Sequence, residues 1–142
     1  MPSSWICVDA SLVVRLIVDI DDQIVRERWQ EWTSENRQIA APSLLHYEVT
    51  NALYQYHRHG YLGEESLRLA QEAALALPIQ LHGDEALHRA ALRLARRLSL
   101  SATYDAHYLA LKERLNAEMW TSDRRLVNAV KDEISNVHFI SE

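Results

Sequence analysis

Cysteine is nearly missing from the 142-residue chain, and the single Cys7 excludes an internal disulfide or a zinc site built from cysteines. Cys7 falls in the run Trp5-Ile6-Cys7-Val8 and is read as a buried core residue. Glycine and proline occur three times each, too seldom for an all-β chain that must turn about every ten residues. No stretch approaches the ~18 uncharged apolar residues of a membrane span. The opening Met1-Pro2-Ser3-Ser4 has neither the charge nor the apolar run of a secretory signal. The expectation is a soluble, cytoplasmic protein that does not engage a membrane.

Positive charge is also in deficit, with 15 Lys and Arg against 20 Asp and Glu, a net charge of −5. That disfavours passive binding to nucleic acid through phosphate neutralisation. Acids reserved for a bound cation would change the local field, so the sign alone does not decide. What the chain does have is 48% hydrophobic residues with four tryptophans. With no internal repeat, this suits one domain over residues 1–142 with one core.

Apolar periodicity sets the order of elements. Trp5 to Val8 reads as a buried strand, followed by a helix capped near Ser11 and carrying Leu12, Val13, Leu16 and Ile17. After an acidic turn at Asp19 to Asp22, the residues Ile24, Val25, Trp29 and Trp32 mark a helix up to Asn36. Gln38 to Ala41 is a second strand stopped by Pro42. Ser43 then caps a helix with the stripe Leu45, Val49, Ala52 and Tyr56, ending near Gly60.

Further helices are read from about Glu64 to Leu77, Asp84 to Leu98 and Thr103 to Leu115, and a short one opens at Asp123. Strands are read at Pro78 to Leu81, Glu118 to Thr121 and Asn136 to Ile140. Short strands separated by helices require crossover connections. The predicted fold is therefore an α/β/α sandwich, three layers around a mainly parallel sheet.

Four carboxylates stand where chemistry could gather. Asp9 and Asp123 follow the first and fourth strands, and open parallel sheets place functional groups at such carboxyl ends. Glu48 projects near the apolar stripe of its helix, and Asp105 sits in a first turn with Tyr108 and Leu109 on its side. Each also has a plain reading: Asp9 as a helix cap, Asp105 and Asp123 as first-turn acids, Glu48 as a stripe-edge residue reaching water. If the four converge, their repulsion is best relieved by a hard divalent ion such as Mg²⁺ or Mn²⁺. An all-carboxylate site with room for water suits phosphodiester hydrolysis. Arg124, beside Asp123, is the candidate for contact with a substrate phosphate.

The blocks that carry these acids resemble the PIN-domain family, and within it the VapC-like toxins of type II toxin–antitoxin pairs. They are Val8-Asp9-Ala10-Ser11-Leu12-Val13-Val14, Pro42 to Leu53 around Glu48, Thr103 to Leu111 around Asp105, and Thr121-Ser122-Asp123-Arg124-Arg125-Leu126. Four blocks in order over nearly the whole chain make the likeness specific. It implies a Mg²⁺- or Mn²⁺-dependent endoribonuclease that acts on RNA, forms a homodimer and is neutralised by a cognate antitoxin. It further implies that Asp9, Glu48, Asp105 and Asp123 hold the metal while Ser11 and Thr121 support them by hydrogen bonds. The first helices, with Trp29 and Trp32, would lie where family antitoxins dock, although burial is the plainer expectation for both rings.

Other features are set aside. His57 and His59 flank a helix end and are read as solvated, and Asp19, Asp21 and Asp22 lack the pattern of a calcium loop. Arg89, Arg93 and Arg96 or Arg97 form a stripe that could follow an RNA backbone but is better read as a solvated face. A receiver domain would want an early acidic pair and a late lysine. A haloacid-dehalogenase-like phosphatase would want an Asp where Ser11 stands. A silent PIN-like module that binds RNA or protein without cutting is the alternative to the nuclease.

Overall fold

The computed structural model describes residues 4–141; Met1-Pro2-Ser3, read above for a signal, and Glu142 lie outside the described residues. Along the chain run β1 (Trp5–Val8), α1 (Ala10–Val18), α2 (Gln23–Ser34), β2 (Gln38–Pro42), α3 (Leu44–Arg58) and α4 (Glu64–Ala76). These are followed by β3 (Ile79–His82), α5 (Glu85–Leu98), α6 (Tyr104–Leu115), β4 (Glu118–Thr121), α7 (Arg124–Val130) and β5 (Val137–Phe139).

The five strands form one sheet in the order β3-β2-β1-β4-β5, and every neighbouring pair is parallel. The chain builds outward from β1 to β3 and then crosses back to lay β4 on the other side of β1. The switch point therefore lies between β1 and β4, where an open parallel sheet opens a crevice at its carboxyl end. α1, α3 and α4 pack together as one layer, while α5 and α6 pair as another, with α6 lying against β1, β2 and β4. The predicted three-layer arrangement is the observed one.

Local chemistry explains the elements. α5 buries Leu87, Ala91, Leu94 and Ala95, a single stripe at helical spacing. α6 is buried on several sides, from Ala106 through Tyr108, Leu109, Ala110 and Leu111, because it lies across the centre of the sheet. Left-handed turn positions are filled by Asn36, Ser99, Asn116 and Asn136, so the scarcity of glycine costs the fold few turns. Gly60, at φ 82°, closes α3 as expected. Gly83 is required by close approach, since a Cβ there would fall 2.5 Å from Ser43 Oγ.

Several boundary expectations are corrected. The cap of α1 is Asp9 rather than Ser11: the Asp9 side chain accepts from Leu12 N at 3.1 Å. Ser43 precedes α3 but makes no side-chain cap; its backbone N–H donates to His82 O at 2.8 Å. Pro42 does not stop β2 but is its last residue, paired with His82. The β1 register has ended at Cys7↔Ala40 by then, so no partner on that side asks Pro42 for an N–H.

Trp32 is 2% exposed and joins Trp29 and Trp120 in a chain of tilted rings 5.9 Å apart, so it belongs to the core. Cys7 is buried too, and that burial pushes its thiol up to about 12. No helix among the described residues is long and apolar enough to cross a membrane.

Candidate active site

β1 delivers Asp9 to the switch point, where it is 7% exposed. A carboxylate there must be held by donors, and each of its oxygens has them. Ser11 Oγ donates to Oδ1 at 2.7 Å, joined by Leu12 N, and Thr121 Oγ1 donates to Oδ2. Both hydroxyl protons are thus directed at Asp9, and the two hydroxyl oxygens lie 3.3 Å apart.

Those oxygens then serve as acceptors for the next loop. Ser11 Oγ accepts from Ser122 N at 3.1 Å, and Thr121 Oγ1 accepts from Asp123 N at 2.9 Å. The ends of β1 and β4 are locked together through one carboxylate and two hydroxyls. Burial still pushes Asp9 up to about 6, against its hydrogen bonds, and the charge of Asp105 adds to the rise.

Asp123 caps α7, accepting from Arg125 N at 3.0 Å, as its helix-start reading expected, and it follows the carboxyl end of β4. Asp105 lies exposed at the rim, in the first turn of α6. Desolvation raises it first and the charge of Asp123 second, with Arg125 pulling the other way. Glu48 is half-buried on α3 and accepts from Tyr108 Oη at 2.6 Å. Burial, that hydrogen bond and the charges of Glu48, Asp9 and Asp105 all push the Tyr108 phenol up. The four acids therefore share one electrostatic neighbourhood. Among the described residues no three acid, imidazole or thiol groups close on a single point.

The donor chemistry fits a hard cation. Every group near Asp9 is an oxygen or an amide, and among the described residues no Lys or Arg forms an ion pair with it. The buried cation Lys112 stands in the last turn of α6, towards the amino ends of the strands.

Three residues enter that sequence reasoning passed over. Tyr108 was placed beside Asp105 but not joined to Glu48, 60 positions away. Arg15 interrupts the apolar run of α1, a signal that could have been followed. It pairs with Asp22 and donates from Nη1 to Ser122 Oγ and Ile140 O, both at 3.2 Å. Asp22 is thus not a solvated turn acid but the cap of α2 and an ion-pair partner.

Arg124, expected at the substrate, lies 4.1 Å over the Phe139 ring, and the cation felt at Asp105 is Arg125. His57 is not simply solvated, since its Nδ1 meets Leu62 O at 2.8 Å across the α3–α4 turn. The arginine stripe of α5 is exposed, with Arg89 tied to Glu85.

If Tyr108 positions Glu48, Tyr108→Phe keeps the buried ring and loses only the 2.6 Å hydrogen bond. The expected result is ~10-fold weaker Mn²⁺ binding by titration calorimetry, the lower end for an outer-shell partner. The melting temperature should change little.

A parallel sheet ordered 3-2-1-4-5 with acids gathered at its switch point defines a class of α/β proteins built to work at that crevice. This chain belongs to the PIN domain family, whose model matches residues 6–132. It is 29% identical over 121 residues to "Ribonuclease VapC3" of Pyrobaculum aerophilum, covering 84% of this chain and 89% of that protein. Among solved structures, PAE2754 from Pyrobaculum aerophilum superposes with a TM-score of 0.70 at 21% identity, covering 95% of this chain and 88% of that one. Mycobacterium tuberculosis VapC20, described as a sarcin-ricin loop cleaving toxin, gives 0.63 at 15% identity, covering 93% and 98%. At these identities the two structures bear on the fold.

Proposed function

We propose that this chain is a metal-dependent endoribonuclease, the toxin of a toxin–antitoxin pair, and that Asp9, Glu48, Asp105 and Asp123 form its active site. The observation that carries the reading is Asp9, a carboxylate buried at the switch point and raised by that burial, with other acids rather than a base as its charged neighbours. Such a group is costly to bury unless a cation is its purpose. Membership of the PIN family and the likeness to a protein called a ribonuclease supply the reaction class.

The four acids would hold Mg²⁺ or Mn²⁺, which supplies Lewis-acid stabilisation of phosphate oxygens and acidifies water. The chain's own residues do the rest. Ser11 and Thr121 fix both oxygens of Asp9 in place. Tyr108 orients Glu48 across from it, and Arg125 offers the positive charge nearest the rim for a substrate phosphate.

A cognate antitoxin would dock in an adjoining groove. A groove of about 910 Å³ runs beside the site, floored by Val14, Val18, Ala52 and Tyr56 and rimmed by Asp19 and Asp21. Its lining includes Glu48 and Ser122, so an amphipathic helix with a basic edge laid there would cover Glu48. Trp29 and Trp32 do not line it. Homodimerisation is proposed from the family likeness.

The test is cleavage of total RNA by purified, antitoxin-free protein. Cutting is expected with Mg²⁺ or Mn²⁺ and none with EDTA. Cutting that persists in EDTA, or protein that binds Mn²⁺ and cuts nothing, would overturn the reading.

A further inference from the structure

We propose that the cavity between the N-terminal ends of α3, α5 and α6 is a nucleobase subsite, where an unpaired base of the RNA stacks on Tyr47 and Tyr104 beside the carboxylates. The proposal rests on the ribonuclease reading above and extends it to how the strand is held.

The cavity measures about 370 Å³, within the ~300–1,000 Å³ usual for small-molecule sites. It opens at the carboxyl ends of β2 and β3, marked by Pro42 and His82 in its wall. Leu87 lies in the same wall and makes part of it apolar. The two tyrosines that line it are 77% and 60% exposed, large rings facing solvent. One exposed ring needs no explanation. Two around the same concavity, each adjoining a site acid in sequence, do: Tyr47 precedes Glu48 on α3 and Tyr104 precedes Asp105 on α6. Successive helical residues diverge by ~100°, so each ring faces the surface next to the one its carboxylate faces. A strand with its phosphate at the acids thus has a neighbouring base within reach of both rings.

Two histidines stiffen the wall. His107 Nδ1 lies 2.7 Å from Thr103 O, and a carbonyl only accepts, so that nitrogen carries hydrogen. His107 Nε2 lies 2.9 Å from His88 Nδ1, so the two imidazoles are joined by a hydrogen bond. The pair holds two ring walls in place before any ligand arrives, which lowers the cost of ordering them.

Two exposed rings around one cavity beside the proposed site acids favour RNA bases over other occupants. With a net charge of −5, the chain has little general attraction for phosphate, and base stacking is the affinity that remains when neutralisation is weak. Stacking also tolerates any sequence, because every base has a π face.

The probe is a short oligoribonucleotide with 2-aminopurine placed in turn at each position, in EDTA so that no cleavage intervenes. Stacking on a tyrosine should quench the probe at one or two positions. Quenching should persist in Tyr104→Phe and fall in Tyr47→Ala and Tyr104→Ala, with binding weakened about 5- to 100-fold, the effect of one lost base–ring stack. Both side chains are exposed, and unchanged circular dichroism melting would show that the variants fold. Absence of quenching in the wild type, or quenching equal in all variants, overturns the subsite whether or not the protein cuts RNA. Quenching in a protein that cuts nothing supports the subsite and sinks the nuclease reading instead. A change of oligomeric state by light scattering in the alanine variants, with RNA binding intact, would assign the face to a second copy and overturn the proposal.

Discussion

Asp9→Asn is expected to abolish cleavage, by about a thousandfold or more, and at the same time to make the protein more stable. The second half follows from linkage. The Asp9 carboxyl is raised from 3.8 to about 6 in the fold. Between those values the folded state keeps a proton that the unfolded chain has lost, so stability falls as pH rises through this window. Above about pH 6 the loss is complete and constant. At ~1.36 kcal/mol per tenfold change in acidity, it amounts to about 3 kcal/mol.

Asparagine removes the charge and can keep much of the geometry. Its oxygen can still accept from Leu12 N, and its amide can donate to Thr121 Oγ1 once that hydroxyl rotates. Some rearrangement cost remains, so the gain is put at about 1–3 kcal/mol, or roughly 3–8 °C in melting temperature. Calorimetry at pH 7 checks the number, and repetition at pH 4 should shrink the difference between variant and wild type. Added Mn²⁺ should raise the melting temperature of the wild type and leave the variant nearly unmoved. A variant that melts lower at pH 7, or gains as much from Mn²⁺ as the wild type, would mean that Asp9 is a structural cap and not a residue stored for a cation.

That coexistence of cap and site explains what was legible in the sequence. The acids could be read because each stands at a place the backbone marks: Asp9 and Asp123 directly after strands, Asp105 in a first turn, Glu48 on a core-facing edge. The parallel sheet and its three layers followed from the alternation of elements, while the strand order came only from the structure. The contacts that hold the acids could not be read from spacing, because they join distant parts of the chain; Thr121 entered only through the family resemblance, and the bond from Tyr108 to Glu48 not at all. Thr121 reaches Asp9 over 112 positions and Tyr108 reaches Glu48 over 60.

Local rules also competed with one another. Ser11 is a good cap residue, but Asp9 takes the cap and draws the Ser11 hydroxyl to itself. Arg124 adjoins the site in sequence, but one step of the helix turns it towards Phe139 and leaves Arg125 facing the acids. In both cases periodicity located the element to within a residue or two: Asp9 holds the cap expected of Ser11, and Arg125 rather than Arg124 is the cation felt at Asp105.

Arg15→Met should destabilise the protein by about 3 kcal/mol, the range for removing one partner of a shielded ion pair, and should also slow cleavage. The side chains of Arg15 and Asp22 are only 18% and 9% exposed. Arg15 additionally donates to Ser122 Oγ and to Ile140 O, so it ties α1 to the start of α2, the β4–α7 loop and the end of β5. Methionine fills the space of the aliphatic stem but leaves the Asp22 carboxylate without its cation.

The sign of the pH effect is opposite to that of Asp9. The Arg15 hydrogen bond holds Asp22 below its ordinary 3.8, so its contribution is fully present above that value and is lost as pH falls through the lowered one. The wild type should therefore lose stability on acidification, and Arg15→Met should show a shallower acid limb. Asp22→Asn in the Arg15→Met background should cost little more than the single change, since the pair is already broken.

Cleavage separates this brace from the acids proposed to hold metal. Ser122 N is held by Ser11 Oγ, the hydroxyl that also donates to Asp9, so loosening the Ser122 loop disturbs the carboxylate indirectly. A drop of about 10-fold in kcat, with Mn²⁺ affinity within threefold of wild type, is the expected signature of positioning. Loss of Mn²⁺ binding in a variant that is still folded would instead show that α1 shapes the metal seat itself, and that the site extends from the strand ends onto the first helix.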